Sequence, residues 1–329
     1  MQKILVIQTA FIGDAILATA IVEKLHQFYP DAEIDFLLRK GNEGLLQGHP
    51  FLKEVLIWKK KENKYKNLLK LLKKIRRKKY DKVINLQRHA STGFLTGFSK
   101  AKEKIGFEKN PLSYLFTKKI SHEFGKGLHE VERNNRLIED FTDNSFNKPK
   151  LYPSIKDEEE ISKFTKEPFV CIMPASVWFT KQYPEEKWID LIDNFPGEYH
   201  IYLSGSPNDI NLCERIKDKT INKKVTILAG KLSFLESAAL MKKAKMNYSN
   251  DSAPMHLASA TNSPITAIFC STIPEFGFYP LSDKSIIVQT DLKLSCKPCG
   301  FHGRKACPLG HFKCALTIET LQLLESLNS

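Results

Sequence analysis

Short apolar runs alternate with amphipathic segments along the whole chain, and this alternation constrains the fold more than any other feature. The runs lie at residues 3–8, 33–38, 55–58, 82–86, 104–107, 169–173, 199–204, 225–228 and 265–270. Runs of this length are typical of strands buried on both faces of a parallel sheet. The first is followed by apolar residues at helical spacing, which predict a helix over residues 15–29. We therefore predict an α/β protein with parallel sheets.

A polar stretch at residues 148–166 interrupts the pattern. It contains Pro153 and the acidic run 157–160, and Pro168 precedes the next apolar run. Boundaries between domains fall in segments of this kind, and a chain of 329 residues is long enough for two hydrophobic cores. We predict two domains, residues 1–155 and 156–329.

The balance of charge is strongly basic, with 50 Lys and Arg against 37 Asp and Glu, a formal charge of +13. Such a charge favours a polyanion, an anionic membrane surface or acidic substrates as partners. The first residues do not resemble a signal peptide, and no apolar run is long enough to span a bilayer. Seven cysteines without a signal sequence indicate reduced thiols. We therefore expect a cytoplasmic protein.

Residues 59–79 are the most basic segment, with twelve Lys and Arg against Glu62. An apolar stripe of Leu68, Leu69, Leu72 and Ile75 predicts an amphipathic helix. Such a helix is often only a solvated face over a core stripe, but anionic lipid headgroups attract this density of charge. We favour association with a membrane surface. Nucleic acid is less favoured, because neither interleaved aromatic residues for base stacking nor a recognised binding motif accompanies the charge.

Two candidate groups follow strands of the first half. Asp14 lies after the first strand, where open α/β sheets place groups that contact ligands, although neither a dinucleotide motif nor a P-loop is present. The alternative is that Asp14 only caps the following helix. Arg88 and His89 follow the fourth strand, and Arg88 is suited to a carboxylate or phosphate of an acceptor. An ordinary surface ion pair is the alternative for Arg88.

In the second half, residues 248–260 predict a loop that leads into a helix, with Asp251 or Ser252 as N-cap and Pro254 in the first turn. A helix start of this kind suits a diphosphate. The alternative is an ordinary capped helix with a structural His256. Pro184, Glu185 and Glu186 predict another helix start. The loop before it carries Ser176, Thr180 and Lys181, which suit phosphate oxygens. An acid that follows a strand, such as Asp209, suits ribose hydroxyls.

Four segments stand in an order that resembles the heptosyltransferases of glycosyltransferase family 9. They are residues 8–14 (QTAFIGD), 180–184 (TKQYP), 205–207 (GSP) and 250–258 (NDSAPMHLA). The resemblance spans nearly the whole chain. It implies a GT-B architecture of two Rossmann-like domains facing a cleft, with the acceptor on the N-terminal domain and the nucleotide-sugar donor on the C-terminal one. It also implies transfer of a heptose from ADP-heptose to the inner core of lipopolysaccharide, with inversion and without a metal or other cofactor.

The resemblance assigns roles by matching position. Asp14 takes the role of catalytic base, and Lys181 contacts the donor phosphate. The donor-binding residues that we predict are Ser176, Thr180, Lys181, Asp209, Leu232, Asp251, Ser252, Ala253 and His256. Arg88 is the predicted acceptor-binding residue. Asp14 and Lys181 carry the proposed chemistry: Asp14 deprotonates an acceptor hydroxyl, and Lys181 stabilises the leaving diphosphate. The acceptor implied is an anionic lipid-linked saccharide, held by Arg88 and the 59–79 surface at the inner membrane, with the protein peripherally associated there.

One departure from the family pattern and two rival functions accompany this interpretation. The family more often has Thr-Gly where this chain has Ser252-Ala253, which leaves the donor's sugar open. Cys296, Cys299, Cys307, Cys314 and a neighbouring His311 resemble a cysteine-rich loop of the second-heptose branch, and a small zinc site is a minor hypothesis for them. The rival functions are a nucleotide-sugar epimerase of the same architecture and a non-catalytic polyanion-binding protein.

Overall fold

The computed structural model describes residues 1–327, and the chain divides into two compact units. The first is Met1–Tyr152, and the second begins at Pro153. Each unit contains a six-stranded sheet in which every pairing is parallel. The predicted parallel α/β fold is therefore confirmed.

In the first unit the strands and helices alternate as the sequence predicts. The strands are β1 Lys3–Ile7, β2 Glu33–Arg39, β3 Glu54–Trp58, β4 Lys82–Asn85, β5 Glu103–Phe107 and β6 Lys118–Ile120. The helices are α1 Ile12–Leu17, α2 Thr19–Phe28, α3 Lys64–Lys78, α4 Ala90–Gly97 and α5 Glu130–Asn135. The core lies between the sheet and these helices, and its largest side chain, Trp58, is 1% exposed. The short strand β6 carries no apolar run, and the sequence did not predict it.

The single helix predicted over residues 15–29 is wrong in two respects. Helix α1 begins earlier, at Ile12, and Ala18 separates it from α2. At the break, the Thr19 hydroxyl donates to the Ile16 carbonyl over 2.7 Å. A side-chain donor that takes such a carbonyl competes with the helical hydrogen bond, so the regular hydrogen-bond pattern is interrupted there.

The second unit repeats the arrangement. Its strands are β7 Phe169–Met173, β8 His200–Leu203, β9 Val225–Ile227, β10 Met246–Asn250, β11 Ile265–Ile268 and β12 Ser285–Val288. Its helices are α6 Ile155–Ile161, α7 Glu185–Asp193, α8 Ile210–Lys219, α9 Phe234–Lys243, α10 Ala253–Ala260, α11 Lys313–Leu316 and α12 Thr320–Glu325. The loop predicted from residue 248 is wrong, because Tyr248, Ser249 and Asn250 pair within strand β10.

Helix α3 forms within the basic segment, but its apolar stripe differs from the predicted one. The buried residues are Leu68, Leu71, Leu72 and Ile75. Leu69 is 58% exposed, so its inclusion in the stripe was wrong. Residues 68, 71, 72 and 75 recur at the spacing of one helical face, whereas residue 69 points away from it.

Candidate functional site

Strand order places the predicted site residues at one special position in each sheet. The orders are β3-β2-β1-β4-β5-β6 and β12-β11-β10-β7-β8-β9. In each sheet the first three strands in the sequence are added towards one edge. The last three are then added towards the other edge, beginning beside the first strand. The switch points lie between β1 and β4 and between β10 and β7. Open parallel sheets bind ligands at such points, beyond the carboxyl ends of the strands.

At the first switch point, Asp14 lies in the first turn of α1, directly after β1. Phe11 occupies the N-cap position, and the Asp14 carboxyl meets backbone hydrogen-bond donors at Phe11 and Asp14, so the structure leaves a helix-capping role open beside the catalytic one. Asp14 has no ion-pair partner within residues 1–327. Burial raises its pKa from 3.8 to about 6, and the charge of Glu130 adds to that rise. Backbone hydrogen bonds at Phe11 and Asp14, and the charge of Arg88, oppose it.

Glu130 opens helix α5 and is itself held as an anion. His122 Nε2 lies 3.4 Å from its Oε2, and Arg133 Nε lies 2.7 Å from the same oxygen. Burial alone would raise the pKa of Glu130, but the His122 hydrogen bond and the Arg133 charge hold its pKa below the usual range. A persistent negative charge therefore lies near Asp14. A like charge disfavours ionisation of a neighbouring carboxyl.

Arg88 lies at the other side of this switch point, after β4, and its side chain is exposed. It has no ion-pair partner in the described part of the chain, so the surface ion pair considered above is not formed. Burial lowers the pKa of the adjacent His89, and the charges of Lys60 and Arg88 lower it further. Lys60 is thus a second cation at this edge. Together, these groups make the edge suited to an anionic ligand.

At the second switch point, Lys181 and Asp251 form an ion pair. Lys181 lies in a 3₁₀ turn after β7, and its Nζ lies 2.6 Å from Asp251 Oδ2, directly after β10. The Thr272 hydroxyl donates to the same oxygen over 2.6 Å. Both charged side chains are largely buried. Two residues that are remote in sequence therefore meet because their strands are neighbours.

Helix α10 begins beside this pair. Ser252 is its N-cap, but the Ser252 side chain caps no backbone N–H group, and Pro254 occupies the first turn. Burial lowers the pKa of His256 to about 4, with Asp251 acting to raise it and Lys181 to lower it. His256 Nδ1 is buried without a hydrogen-bond partner among the described residues. His256 is therefore a neutral imidazole next to the ion pair.

Other residues of the β7 loop have structural partners. Thr180 is 1% exposed, and its Oγ1 accepts hydrogen bonds from Ser271 Oγ at 3.0 Å and from the Arg304 N–H at 2.8 Å. The half-buried Ser176 accepts from Gln182 Nε2 through its carbonyl at 2.6 Å. Asn250 joins the loop to β10, because it accepts from the Tyr183 N–H and donates to the Pro174 carbonyl, each over 2.8 Å.

Asp209 and Leu232 follow β8 and β9, on the far side of β7 from Asp251. Asp209 Oδ2 accepts from the Ser206 N–H at 2.7 Å and from the Ser206 hydroxyl at 2.8 Å. The Gly230 N–H donates to the Gly205 carbonyl at 2.9 Å, which brings the two loops together. These residues therefore share the carboxyl edge of the sheet with Lys181.

The seven cysteines are free thiols. Cys296, Cys299, Cys307 and Cys314 line a cavity of about 250 Å³ together with His311, whose Nε2 lies 3.9 Å from Cys296 Sγ. Across residues 1–327, however, no group of three or more His, Cys, Asp or Glu side chains is arranged to hold a metal ion. The geometry of the described residues therefore gives the minor zinc hypothesis no support. No helix among these residues is both long and apolar enough to cross a bilayer.

The sequence did not identify Glu130, His122 or Thr272 as parts of either site. Glu130 follows a loop with Gly125 and Gly127, and no apolar run or known motif precedes it. Thr272 follows β11, and only the strand order shows that this strand adjoins β10. The position of a residue after a strand was the one signal available for Thr272.

Comparison with known proteins identifies the family. The profile of glycosyltransferase family 9 (heptosyltransferase) matches residues 68–309, well over half of the chain. Lipopolysaccharide heptosyltransferase 3 of Escherichia coli K12 is 29% identical over 275 residues, covering 79% of this chain and 80% of that protein.

Solved structures agree in fold. A glycosyl transferase family 9 protein from Veillonella parvula has a TM-score of 0.87 at 22% identity, covering 99% of this chain and 96% of that one. The ADP-heptose lipopolysaccharide heptosyltransferase II of E. coli has a TM-score of 0.82 at 23% identity, covering 99% and 98%. The profile match, which takes in the Lys181 and Asp251 site, shows that this chain belongs to glycosyltransferase family 9.

Proposed function

We propose that this glycosyltransferase moves a heptose from ADP-heptose to the inner core of lipopolysaccharide or a related lipid-linked saccharide. The transfer inverts the anomeric centre and uses no metal. The N-terminal domain, residues 1–155, holds the acceptor, and the C-terminal domain, residues 156–329, holds the donor. The observation that carries the proposal is the Lys181–Asp251 pair at the start of α10, at a switch point of the second sheet.

The donor diphosphate lies at the N-terminus of α10 in this proposal. Backbone N–H groups near Ser252 and Ala253 are the donors there, and the positive end of the helix dipole favours the anion. Lys181 provides a fixed positive charge for the leaving phosphate. Asp251 holds the Lys181 ammonium in place through the 2.6 Å contact. The ribose is bound by Asp209, whose Oδ2 is already used by Ser206, so Oδ1 receives the hydroxyl.

Asp14 is the proposed general base. An acceptor hydroxyl loses its proton to the Asp14 carboxylate while its oxygen forms a bond to the anomeric carbon. The bond from that carbon to the diphosphate oxygen breaks, and the nucleoside diphosphate leaves with the electron pair. A base with a pKa of about 6 is stronger than an ordinary Asp and is still ionised at neutral pH. Glu130 supports this role by raising the pKa of Asp14.

The acceptor is an anionic saccharide linked to a lipid, and Arg88 binds one of its phosphate or carboxylate groups. Lys60 adds positive charge at the same edge. The proposed location is the cytoplasmic face of the inner membrane, where the protein is peripherally associated. The names of E. coli relatives as lipopolysaccharide heptosyltransferases support this choice of acceptor.

The test is to incubate the protein with ADP-heptose and deacylated lipopolysaccharide core fragments, and to follow the masses of acceptor and donor. We expect the acceptor to gain the mass of one heptosyl unit. Release of a free sugar without change in the acceptor would instead support the epimerase. Consumption of neither substrate would rule out the proposed donor and acceptor pair.

Two further measurements test whether the reaction is independent of metal and whether it inverts the anomeric centre. Turnover should be unchanged after the protein is treated with a chelator and assayed in its presence, because Lys181 and the helix start supply the charge that a metal would otherwise supply. The anomeric proton of the product should show the configuration opposite to that of the donor. Retention of configuration would contradict direct attack by an oxygen that Asp14 deprotonates.

A further inference from the structure

A groove in the first unit lies at the sheet edge opposite Asp14. Helix α3 begins beyond the carboxyl end of β3 and runs back to the amino end of β4, as a connection between parallel strands must. The groove lies beside its C-terminal half and has a volume of about 760 Å³. Leu69, Leu72 and Tyr80 form its apolar lining. A volume of this size is within the range of ligand sites.

Cations surround this apolar lining. They are Lys73, Arg76, Arg77, Lys79, Lys100 and Lys102. Lys102 pairs with Asp81 at 2.8 Å, and Arg76 Nε donates to the Phe98 carbonyl at 2.7 Å. The other four have no ion-pair partner within residues 1–327, and no Asp or Glu in this part of the chain lines the groove. The site thus carries uncompensated positive charge.

The opposite flank of α3 is different. There Lys74 pairs with Glu54, and Lys78 pairs with both Glu54 and Asp35. One helix therefore has a neutralised flank and a bare flank. The density of charge in the sequence does not distinguish them, because the acids come from β2 and β3. Only the bare flank is available to an anionic partner.

Backbone conformation adds a second observation. Lys79 and Lys100 have φ values of 54° and 66°, in the left-handed region. Residues other than Gly, Asn and Asp are uncommon in this region because of steric strain. Both lysines nevertheless occupy such positions, and both line the groove. Lys79 is the C-cap of α3, and a left-handed residue commonly ends a helix, so its conformation belongs to the helix end. Lys100 is the strained position that lines the groove.

Exposed apolar side chains border the same flank. Tyr65 and Leu69 are 74% and 58% exposed and lie one helical turn apart. Phe98, whose carbonyl Arg76 holds, is 42% exposed. Free phosphate compounds require the cations but not these apolar groups. A bilayer surface uses both, because tyrosine and leucine enter the interface while lysine and arginine contact headgroups.

We propose that this groove binds the phosphate headgroups of anionic phospholipids and thereby docks the protein on the membrane. The inference deepens the proposed peripheral association and rests on it. The groove is separate from the site of the acceptor sugar, since the two lie at opposite edges of the sheet. A strand of five residues rises about 3.3 Å per residue, so the edges are roughly 15 Å apart. Of the 59–79 surface predicted to hold the acceptor, only the first residues, at Lys60, therefore lie at the edge of the sheet that carries Asp14.

The experiment compares two triple variants of the full-length protein. One is Lys73→Gln/Arg77→Gln/Lys100→Gln, which removes three unpaired charges from the groove. The matched control is Lys217→Gln/Lys223→Gln/Lys242→Gln, which removes three exposed charges of the second unit that do not line the groove. Cosedimentation is measured with vesicles of phosphatidylcholine alone and of phosphatidylcholine mixed with phosphatidylglycerol. Melting temperatures check that both variants are folded.

Each basic residue at an anionic surface contributes about fivefold, so the groove variant should lose on the order of 100-fold in partitioning to vesicles that contain phosphatidylglycerol. We expect the control to lose less than about tenfold. Equal losses would mean that a diffuse charged surface, and not the groove, binds the membrane. Unchanged binding by the groove variant would also overturn the proposal. Binding of glycerol phosphate in the groove without any groove-dependent binding to vesicles that contain phosphatidylglycerol would assign the groove to free phosphate compounds.

Turnover separates this inference from the proposed function. With a deacylated core fragment, the groove variant should retain wild-type turnover, because its substitutions lie away from Asp14 and Lys181. If the wild-type protein binds anionic vesicles through the groove but transfers no heptose, the proposed reaction fails and the docking site stands. If it transfers heptose and the two triple variants bind vesicles alike, the docking site fails and the reaction stands.

Discussion

The two switch points each present a carboxyl group, and the surroundings of these groups differ. Asp14 contacts no cation within residues 1–327, and burial together with Glu130 raises its pKa to about 6. Asp251 contacts the Lys181 ammonium at 2.6 Å and accepts a hydrogen bond from Thr272. The same functional group is therefore suited to take up a proton in one unit and to fix a cation in the other. Two carboxyl groups whose surroundings differ in this way can be assigned different chemical roles on physical grounds.

Among the substitutions that test this contrast, substitution of Asp14 should have the largest effect on turnover. General-base catalysis typically contributes ~100- to 10,000-fold, so Asp14→Asn should lose turnover on that scale while donor affinity stays near wild type. Turnover with ADP-heptose and titration of the donor measure the two quantities. An active Asp14→Asn enzyme would eliminate Asp14 as the base.

The same variant makes a prediction about stability. Because the pKa of Asp14 is raised in the folded state, the folded state holds a proton between about pH 4 and pH 6 that the unfolded state has released. Rising pH through this window therefore lowers the free energy of unfolding of the wild type. An amide at this position does not titrate, so Asp14→Asn should be at least as stable as wild type at pH 7, with the difference shrinking towards pH 4. Thermal melts across this range measure it.

Removing Lys181 should have the next largest effect. Lys181→Ala takes a charged donor from the diphosphate, worth about 1.5–3 kcal/mol, so donor use should fall on the order of 10- to 100-fold. Lys181→Arg should rescue it only in part, because its donor geometry differs.

Lys181→Ala also leaves Asp251 buried without its cation, which should lower the melting temperature. The double variant Lys181→Ala/Asp251→Asn should regain stability without regaining donor use. Recovery of donor use in the double variant would show that Lys181 serves only to neutralise Asp251.

Substitution of Glu130 tests whether the pKa of Asp14 sets the pH dependence of the reaction. Glu130→Gln removes the negative charge that raises the pKa of Asp14. The acidic limb of the profile of kcat/KM against pH should therefore move to lower pH. Glu130→Asp keeps the charge and should leave the limb close to its wild-type position. A purely structural role for Glu130 would lower activity at every pH without moving the limb.

The smallest expected effect concerns the loop behind Lys181. A Cβ atom at Gly303 would lie 2.9 Å from Lys181 Cγ, whereas one at Gly300 would meet nothing within 4 Å. Both glycines have left-handed φ values, 76° and 80°, so both alanine variants carry similar backbone strain. Gly303→Ala should thus raise the KM for the donor by a few-fold more than Gly300→Ala does, since a shift of the ammonium costs part of a charged contact. Steady-state kinetics on both variants test this, and equal KM values would mean that the loop does not position Lys181.

Sequence patterns were most informative where the residues of a single strand or helix are sufficient to identify it. The buried runs at β1, β7 and β8 were located to within a residue or two, because strands covered on both faces are apolar throughout. The helix start at Pro184 was equally clear, since Pro, Glu185 and Glu186 all favour an N-terminus. Strand β10 was misread as a loop. Its carboxyl end carries Ser249 and Asn250, polar residues that neighbouring strands and loops bury completely.

The sequence alone therefore determined the class of fold, the resemblance to the family, and the positions of Asp14, Lys181 and Asp251 after strands or loops. Tertiary structure alone decided which of those positions meet. Strand order brought Lys181 to Asp251, and it set acids from β2 and β3 against one flank of α3 while leaving the other bare. The physical reason is that local patterns report burial and backbone conformation within a segment. Charge pairing and pKa shifts instead depend on distances between segments remote in sequence, which only packing establishes.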